Sequence, residues 1–290
     1  KGRTPSVFVF NPFAEGRIAQ GKSFTPVKHQ TQLARDLAAL PMFLCRQDDA
    51  VLVEQRPSVE FLSGLKQSGF PLPEFVERKD QFSLGQRKLG RLRPWAWGPD
   101  SVELFAPLFR NLTGEARSAE SSFNDGIAQL YSKAWSAGLL RRFLNKRDAC
   151  SDYAELLCPP DIIGKAVTTL TEALAAIGAI RTQGHHRVVV KQAFGLAGHN
   201  ALRLWEPELL ETQRRWLEKS LQNGRLLVVE PWLDRVTDFS VQLEMESTGL
   251  RLLGYTGLPS FGHGAFLGIG AYAFGLAQIE IWANLWFCLV

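Results

Sequence analysis

The chain has little of what marks a secreted, metal-bound or nucleic-acid-binding protein. Its four cysteines, Cys45, Cys150, Cys158 and Cys288, form no C-x-x-C pair and no regular framework. A disulfide scaffold is therefore not expected, and zinc-ligand spacing is absent. Scattered thiols of this kind suit a reduced, cytoplasmic setting. Charge of one sign is also scarce, because 33 basic against 29 acidic residues leave a formal net charge of +4. A field so weak gives no support to general nucleic-acid binding, which requires many phosphates to be neutralised. No basic region followed by a short apolar core opens the chain, so no signal peptide is visible. The first residue is Lys1 rather than methionine, and the natural start is expected to lie upstream.

From Ala265 to Val290 the only charged residue is Glu280, which meets the rough length and apolarity of a membrane span. A Gly-rich start, the polar Gln278, Glu280 and Asn284, and the lack of a flanking basic cluster argue against an anchor. Two other readings are preferred: a buried β-rich segment, or a natural end lost or replaced by a reading-frame change.

What is present is the alternation of strands and helices. At 290 residues the chain can bury two or three packed units. Ser6 to Phe10 is a β-branched and aromatic run stopped by Asn11-Pro12, which predicts a buried strand. Lys28 to Leu40 carries Leu33, Leu37 and Leu40 at helical spacing before Pro41, and Asp49 to Val53 supplies another strand. Ser58 is placed to cap a helix bearing Phe61, Leu62 and Leu65, with Gly69 to end it and Phe70 to Val76 extended afterwards. This order is an α/β signature.

Glu77 to Asp100 is basic and aromatic, with Trp95 and Trp97 beside Arg91 and Arg93. Such a cluster can stack on bases, but a crossing segment with its tryptophans packed beneath it is the preferred reading. Helices are predicted over Ser101 to Leu112, Ile127 to Leu144 and Lys165 to Thr182. The pattern then changes to period two, with strands at Arg187 to Gln192, Ala201 to Leu204, Leu226 to Glu230, Phe239 to Glu246 and Leu250 to Thr256. Ser247-Thr248-Gly249 joins the last two as a hairpin. Between them, Glu206 to Asn223 reads as a helix with Pro207 in its first turn and Gly224 beyond its end.

The most informative stretch is VVVKQAFGLAGHNALRL, residues 188 to 204. A buried strand ending in Lys191 delivers an ammonium to a sheet edge, and Gly195 and Gly198 let the backbone curl its N–H groups toward an anion. Arg203 lies on the return strand. No G-K-[ST] opens a helix here, so this is neither a Walker loop nor a Rossmann fingerprint. The same residues also fit an ordinary hairpin whose Lys191 reaches solvent. A second piece, LLVVEPWL from Leu226 to Leu233, is an apolar strand ending at Glu230, where Pro231 removes a ladder donor. A carboxylate, open backbone groups and the Trp232 ring at a sheet edge can hold adenine and ribose. Asp238 follows eight residues after Glu230.

In this order, Lys133 in LYSKAWSAGLL, Lys191 in VVVKQAFGLAGHN and Glu230 with Trp232 and Leu233 in VVEPWLDRVTDFSVQ, the chain resembles the ATP-grasp superfamily of carboxylate–amine ligases. That group includes biotin carboxylase and D-alanine:D-alanine ligase. The resemblance covers roughly Asp49 to Thr256 and rests on order and spacing. It implies an α/β and α+β fold, with an N-terminal α/β pre-ATP-grasp domain over 1–124 and a small subdomain with a lysine and glycine lid over 125–228. Residues 229–290 would begin the C-terminal subdomain, the later parts having antiparallel sheets.

Carried over by position, Lys133 and Lys191 would contact the nucleotide phosphates. Gly195, Leu196, Ala197, Gly198 and His199 would form the lid, with Arg203 on the returning strand. Glu230, Trp232 and Leu233 would hold the adenosine end, and Asp238 the ribose or a nearby substrate position. The implied cofactors are ATP and Mg2+, and the implied partner is a carboxylate substrate activated as an acylphosphate for an amine. Bland alternatives stand beside these: Lys133 as a solvated helix start, and His199 as a turn histidine. One departure is plain, since the family's late acidic E-x-N strand for magnesium has no counterpart beyond Thr256, where only Glu280 and Asn284 occur. An inactive nucleotide-binding or scaffold module therefore competes with a ligase, and a membrane-tethered binding protein ranks third.

Overall fold

A computed structural model of the chain describes residues 3–113, 118–145, 157–195, 200–234, 240–246 and 249–256, the last two segments by backbone alone. The apolar tail at 265–290, the turn residues Ser247 and Thr248, and Leu196, Ala197, Gly198, His199 and Asp238 lie outside the described residues. Two compact units divide the chain, Lys1–Trp232 and Leu233–Val290.

In the first unit, β1 (Val7–Val9) is followed by α1 (Ala14–Gln20), α2 (Lys28–Asp36), β2 (Ala50–Val53), α3 (Val59–Gln67), β3 (Glu74–Glu77), β4 (Leu92–Pro94) and α4 (Pro99–Phe105). The four strands form a parallel sheet in the order β3-β2-β1-β4. Both faces are covered, which is why β1 and β2 read VFV and AVLV with no polar alternation. Val7, Val9, Leu52 and Val76 pack with Leu89, Phe105 and Leu108 on one side. Phe8, Val51, Val53 and Phe75 pack with Met42 and Leu65 on the other.

Ser58 caps α3 through the Phe61 N–H at 3.2 Å, and Gly69 follows it at φ 77°, a backbone state that glycine alone adopts without strain. The segment from Glu77 to Asp100 holds a strand that its basic composition conceals. Leu92–Pro94 is β4, reached after a run of 3-10 turns over Arg78–Gln86. Trp97 packs against the first core, stacked on Phe109 with centroids 6.4 Å apart, and Trp95 meets Phe10 edge-on. The predicted helix over Ser101 to Leu112 is shorter than expected: α4 gives way to 3-10 turns over Ala106–Asn111, where Pro107 denies an α-helical donor.

The chain continues through α5 (Ala119–Ser122), α6 (Asp125–Leu130) and α7 (Lys133–Asn145). The expected single helix from Ile127 to Leu144 is thus two, broken at Tyr131 and Ser132, and the Ser132 hydroxyl accepts the Trp135 N–H at 3.4 Å to start α7. The helix predicted over Lys165 to Thr182 is also corrected. Lys165–Val167 is a strand, β5, and α8 (Leu170–Thr182) starts only after Thr169. A reciprocal cap sets that start: Thr169 Oγ1 accepts the Glu172 N–H at 3.2 Å, and Glu172 Oε2 accepts the Thr169 N–H at 3.2 Å.

An antiparallel sheet follows, made by β5, β6 (Val188–Gln192), β7 (Ala201–Leu204) and β8 (Leu227–Pro231), in the order β5-β8-β6-β7. Helix α9 (Glu211–Leu221) lies between β7 and β8 in sequence; it starts later than the predicted Glu206, after the turn at Pro207. Val167, Val188, Val190, Leu204, Leu227 and Val229 face α8 and α9 and bury the second core with Ile177, Ile180 and Leu217. The second unit carries β9 (Ser240–Glu246) and β10 (Gly249–Thr256), paired antiparallel as the alternation predicts. The fold is therefore mixed α/β, a parallel layer followed by antiparallel sheets. No helix among the described residues is long and apolar enough to cross a membrane.

Candidate functional site

Strand pairing decides which side chains meet. Val188 and Val190 of β6 face the helices, so Val189 and Lys191 face the other way. The β8 register sets Glu230 opposite Val189 and Val228 opposite Lys191. Lys191 and Glu230 are thereby diagonal neighbours on the face turned away from α8 and α9, and Lys191 Nζ pairs with Glu230 Oε1. The two side chains are 34% and 26% exposed, wet enough to exchange partners and dry enough for the pairing to be felt.

Arg203 stands opposite Val189 in β7, on the same face, with its guanidinium 5.2 Å over the Trp232 ring. Trp205 meets Trp232 edge-on at 5.1 Å, and the Arg187 guanidinium lies 5.9 Å over Trp205. The Trp232 N–H donates to the Arg187 carbonyl at 2.9 Å, so the ladder continues past Pro231 and holds Trp232 in line. A lysine–carboxylate pair thus adjoins an aromatic and guanidinium platform, a combination that can take an anionic group at one end and a flat ring at the other.

Gly164, just before β5, allows this packing. A Cβ there would lie 2.6 Å from Val228 Cγ1 and 3.1 Å from Glu230 Oε2. Arg141 of α7 fixes the same backbone, donating to the Ile163 and Gly164 carbonyls at 3.3 Å each. Sequence reasoning missed both residues. The only available signal was the glycine directly ahead of a short apolar run, which becomes informative once the run is known to be a strand.

A second cluster forms at the root of the glycine loop. Lys133 opens α7, its N–H donates to the Ala193 carbonyl at 2.8 Å, and its Nζ donates to the Gly195 carbonyl at 2.8 Å. Glu15, in the first turn of α1, accepts the Gly195 N–H at 3.0 Å and lies 3.5 Å from Lys133 Nζ. Glu15 was not anticipated from sequence, although an acid in the turn after the first parallel strand is well placed to reach a site.

Nearby, Asn11 clamps the turn after β4. Its Nδ2 donates to the Ala96 carbonyl at 2.7 Å and to Asp100 Oδ2 at 3.2 Å, and its Oδ1 accepts the Ala96 N–H at 3.1 Å. Burial pushes the Asp100 carboxyl above the ordinary range, and its Oδ1 is buried without a hydrogen-bond partner. Burial also pushes the Tyr131 phenol up, with the charges of Asp100 and Glu15 adding to the effect.

The structure accordingly brings the expected residues into two groups, Lys191 with Glu230, Arg203 and Trp232, and Lys133 with Gly195. Leu233 is exposed and opens the second unit. Gly16 to Ser23, GRIAQGKS, matches the spacing G-x-x-x-x-G-K-[ST] of a phosphate loop, but its geometry excludes that role. Its first half lies inside α1 and Gly21–Ser23 is a 3-10 turn, so no loop opens onto a helix N-terminus. Among the described residues, no three histidine, cysteine, aspartate or glutamate side chains converge to hold a metal ion.

No protein-family model and no curated protein matches the chain. Among solved structures it is similar to N5-carboxyaminoimidazole synthetase from Staphylococcus aureus, at 12% identity and a TM-score of 0.41, over 87% of this chain and 53% of that one. It is also similar to the D-cycloserine synthetase DcsG, at 17% identity and a TM-score of 0.33, over 80% of this chain and 82% of that one. The chain spans about half the length of the first of these. Likeness at this level concerns shape, and shape does not carry activity.

Proposed function

We propose that the chain binds ATP in the manner of an ATP-grasp protein and serves as an ATP-dependent ligase joining a carboxylate to an amine. The observation that carries this reading is the shared strand face of Lys191 and Glu230, with Arg203 and Trp232 beside them. Lys191 would turn from Glu230 to the phosphates, as a point charge on a flexible stem can. Glu230 and Trp232, with Leu233 beyond them, would receive the adenosine end, and Lys133 and the Gly195 amide would take a second phosphate. Leu196, Ala197, Gly198 and His199 would complete the lid and Asp238 the ribose side. In this reading residues 1–124 form the preceding α/β domain, 125–228 the lid-bearing subdomain and 229–290 the start of the next.

The chemistry would be attack of a substrate carboxylate oxygen on the γ-phosphorus, with cleavage of its bond to the β,γ-bridging oxygen and departure of ADP. An amine then attacks the acylphosphate carbon and inorganic phosphate leaves. The lysines would offset charge gathering on the transferred group. Magnesium would be held largely by the nucleotide phosphates with one or two carboxylates, and no step here is routed through it.

Calorimetric titration of the chain with ATP, in the presence of magnesium, tests the reading. Lys191→Ala is expected to weaken binding by roughly 10- to 100-fold, the range of a lost charge-assisted contact. Unchanged affinity in a variant that still melts cooperatively would sink the phosphate role. Release of ADP on adding carboxylates with amines separates a ligase from a passive binder.

A further inference from the structure

The two predicted phosphate lysines are each matched to a carboxylate, but the carboxylates differ in origin. Glu230 belongs to the same sheet as Lys191. Glu15 comes from the parallel layer, 118 residues before Lys133 and 180 before Gly195. Its Oε1 accepts from a backbone N–H and faces a lysine ammonium. One oxygen approached by an amide and an ammonium is the donor arrangement that loops present to a phosphate oxygen. Glu15 is mostly buried, at 15% exposure, so its charge is held there with limited help from water.

The Lys133 ammonium also donates to the Gly195 carbonyl, and the Lys133 N–H to the Ala193 carbonyl. Those two bonds join Lys133 to the loop root without Glu15. Taking the Glu15 charge away therefore leaves the donor pair assembled and gives it an unmet demand for an anion. This decides the sign of the effect.

We propose that Glu15 is an internal stand-in for a phosphate oxygen: it engages the Lys133 ammonium and the Gly195 amide, and a phosphate chain reaches those donors only by displacing it. The carboxylate thereby sets a threshold on affinity, disfavouring weakly charged anions relative to a polyphosphate. The identification of the ligand as a nucleotide rests on the function proposed above; the competition between Glu15 and an anion does not.

The test is calorimetric titration of the full chain and of Glu15→Gln with two probes, ATP and inorganic pyrophosphate. Glutamine removes the charge, keeps one oxygen that can accept from Gly195 and replaces the other with an NH2 donor, and Glu15→Ser, which brings no such amide, serves as a second variant. Both probes are expected to bind the variants about tenfold more tightly than the parent chain, the scale of a part-exposed charged hydrogen bond. Equal or weaker binding of both probes by the variants overturns the proposal while leaving the ATP site intact. Tighter pyrophosphate binding with no ATP binding by any form upholds Glu15 and overturns the nucleotide reading. No binding of either probe by any form overturns both.

Discussion

Asp100 carries a carboxylate whose two oxygens live in different surroundings. Oδ2 takes the Asn11 amide, and Oδ1 is buried with no partner. Burial raises its pKa above the ordinary 3.8, so the folded state disfavours the ionised form. The stability this group contributes is full below its unfolded pKa and is lost as pH rises through the raised folded value. Asp100→Asn, which can keep the Asn11 bond, is therefore expected to melt above the parent chain at pH 7, with the gap closing as the pH falls toward 4. Melting curves at several pH values check this, and a gap that widens on acidification would refute it. Asp49 shows the opposite solution for a buried acid. It is 2% exposed, yet it accepts the Ser6 and Arg46 N–H groups at 2.8 and 2.9 Å and pairs with Arg3, so its burial is satisfied.

Helix α8 owes its register to a reciprocal cap, and Glu172 reinforces it by also accepting the Thr168 N–H at 2.7 Å. Thr169→Ala is expected to cost about 1 kcal/mol, measured by urea denaturation; a change below a few tenths would mean that tertiary packing alone fixes the start. The same motif shows how legible the chain was. Period-two runs placed β6 to β10 within a residue or two, and Ser58 with Gly69 bracketed α3, because caps and alternation are local. Strand β5 was absorbed into a helix because three residues of KAV have no period of their own; they are a strand only because Val229, Val228 and Leu227 pair with them. The signal against that error was the T-x-x-E box at Thr169. In the candidate site, Lys191, Glu230 and Trp232 were readable from strand ends and Arg203 from the return strand. Glu15, Gly164 and Arg141 were not, since each acts across a separation that no window of sequence spans.

At the scale of the molecule, all three packed clusters and every described contact of Lys133 and Lys191 fall within Lys1–Trp232. A chain ended at Trp232 is expected to keep a cooperative thermal transition followed by circular dichroism; a broad, non-cooperative melt would show that the first unit is not self-sufficient. The order of strands within that unit also governs when it can form. β1 pairs with β2 and with β4, so it has both of its neighbours only after Pro94 has been synthesised. β5 must wait about 60 residues for β8, on the order of 3 to 12 s at ordinary synthesis rates. Through that interval the backbone of β5 has no ladder and the inner faces of α8 and β6 have only part of their cover. The late partner is β8, the strand bearing Glu230, so the same strand that completes the candidate site also ends the interval in which this sheet is open to wrong partners.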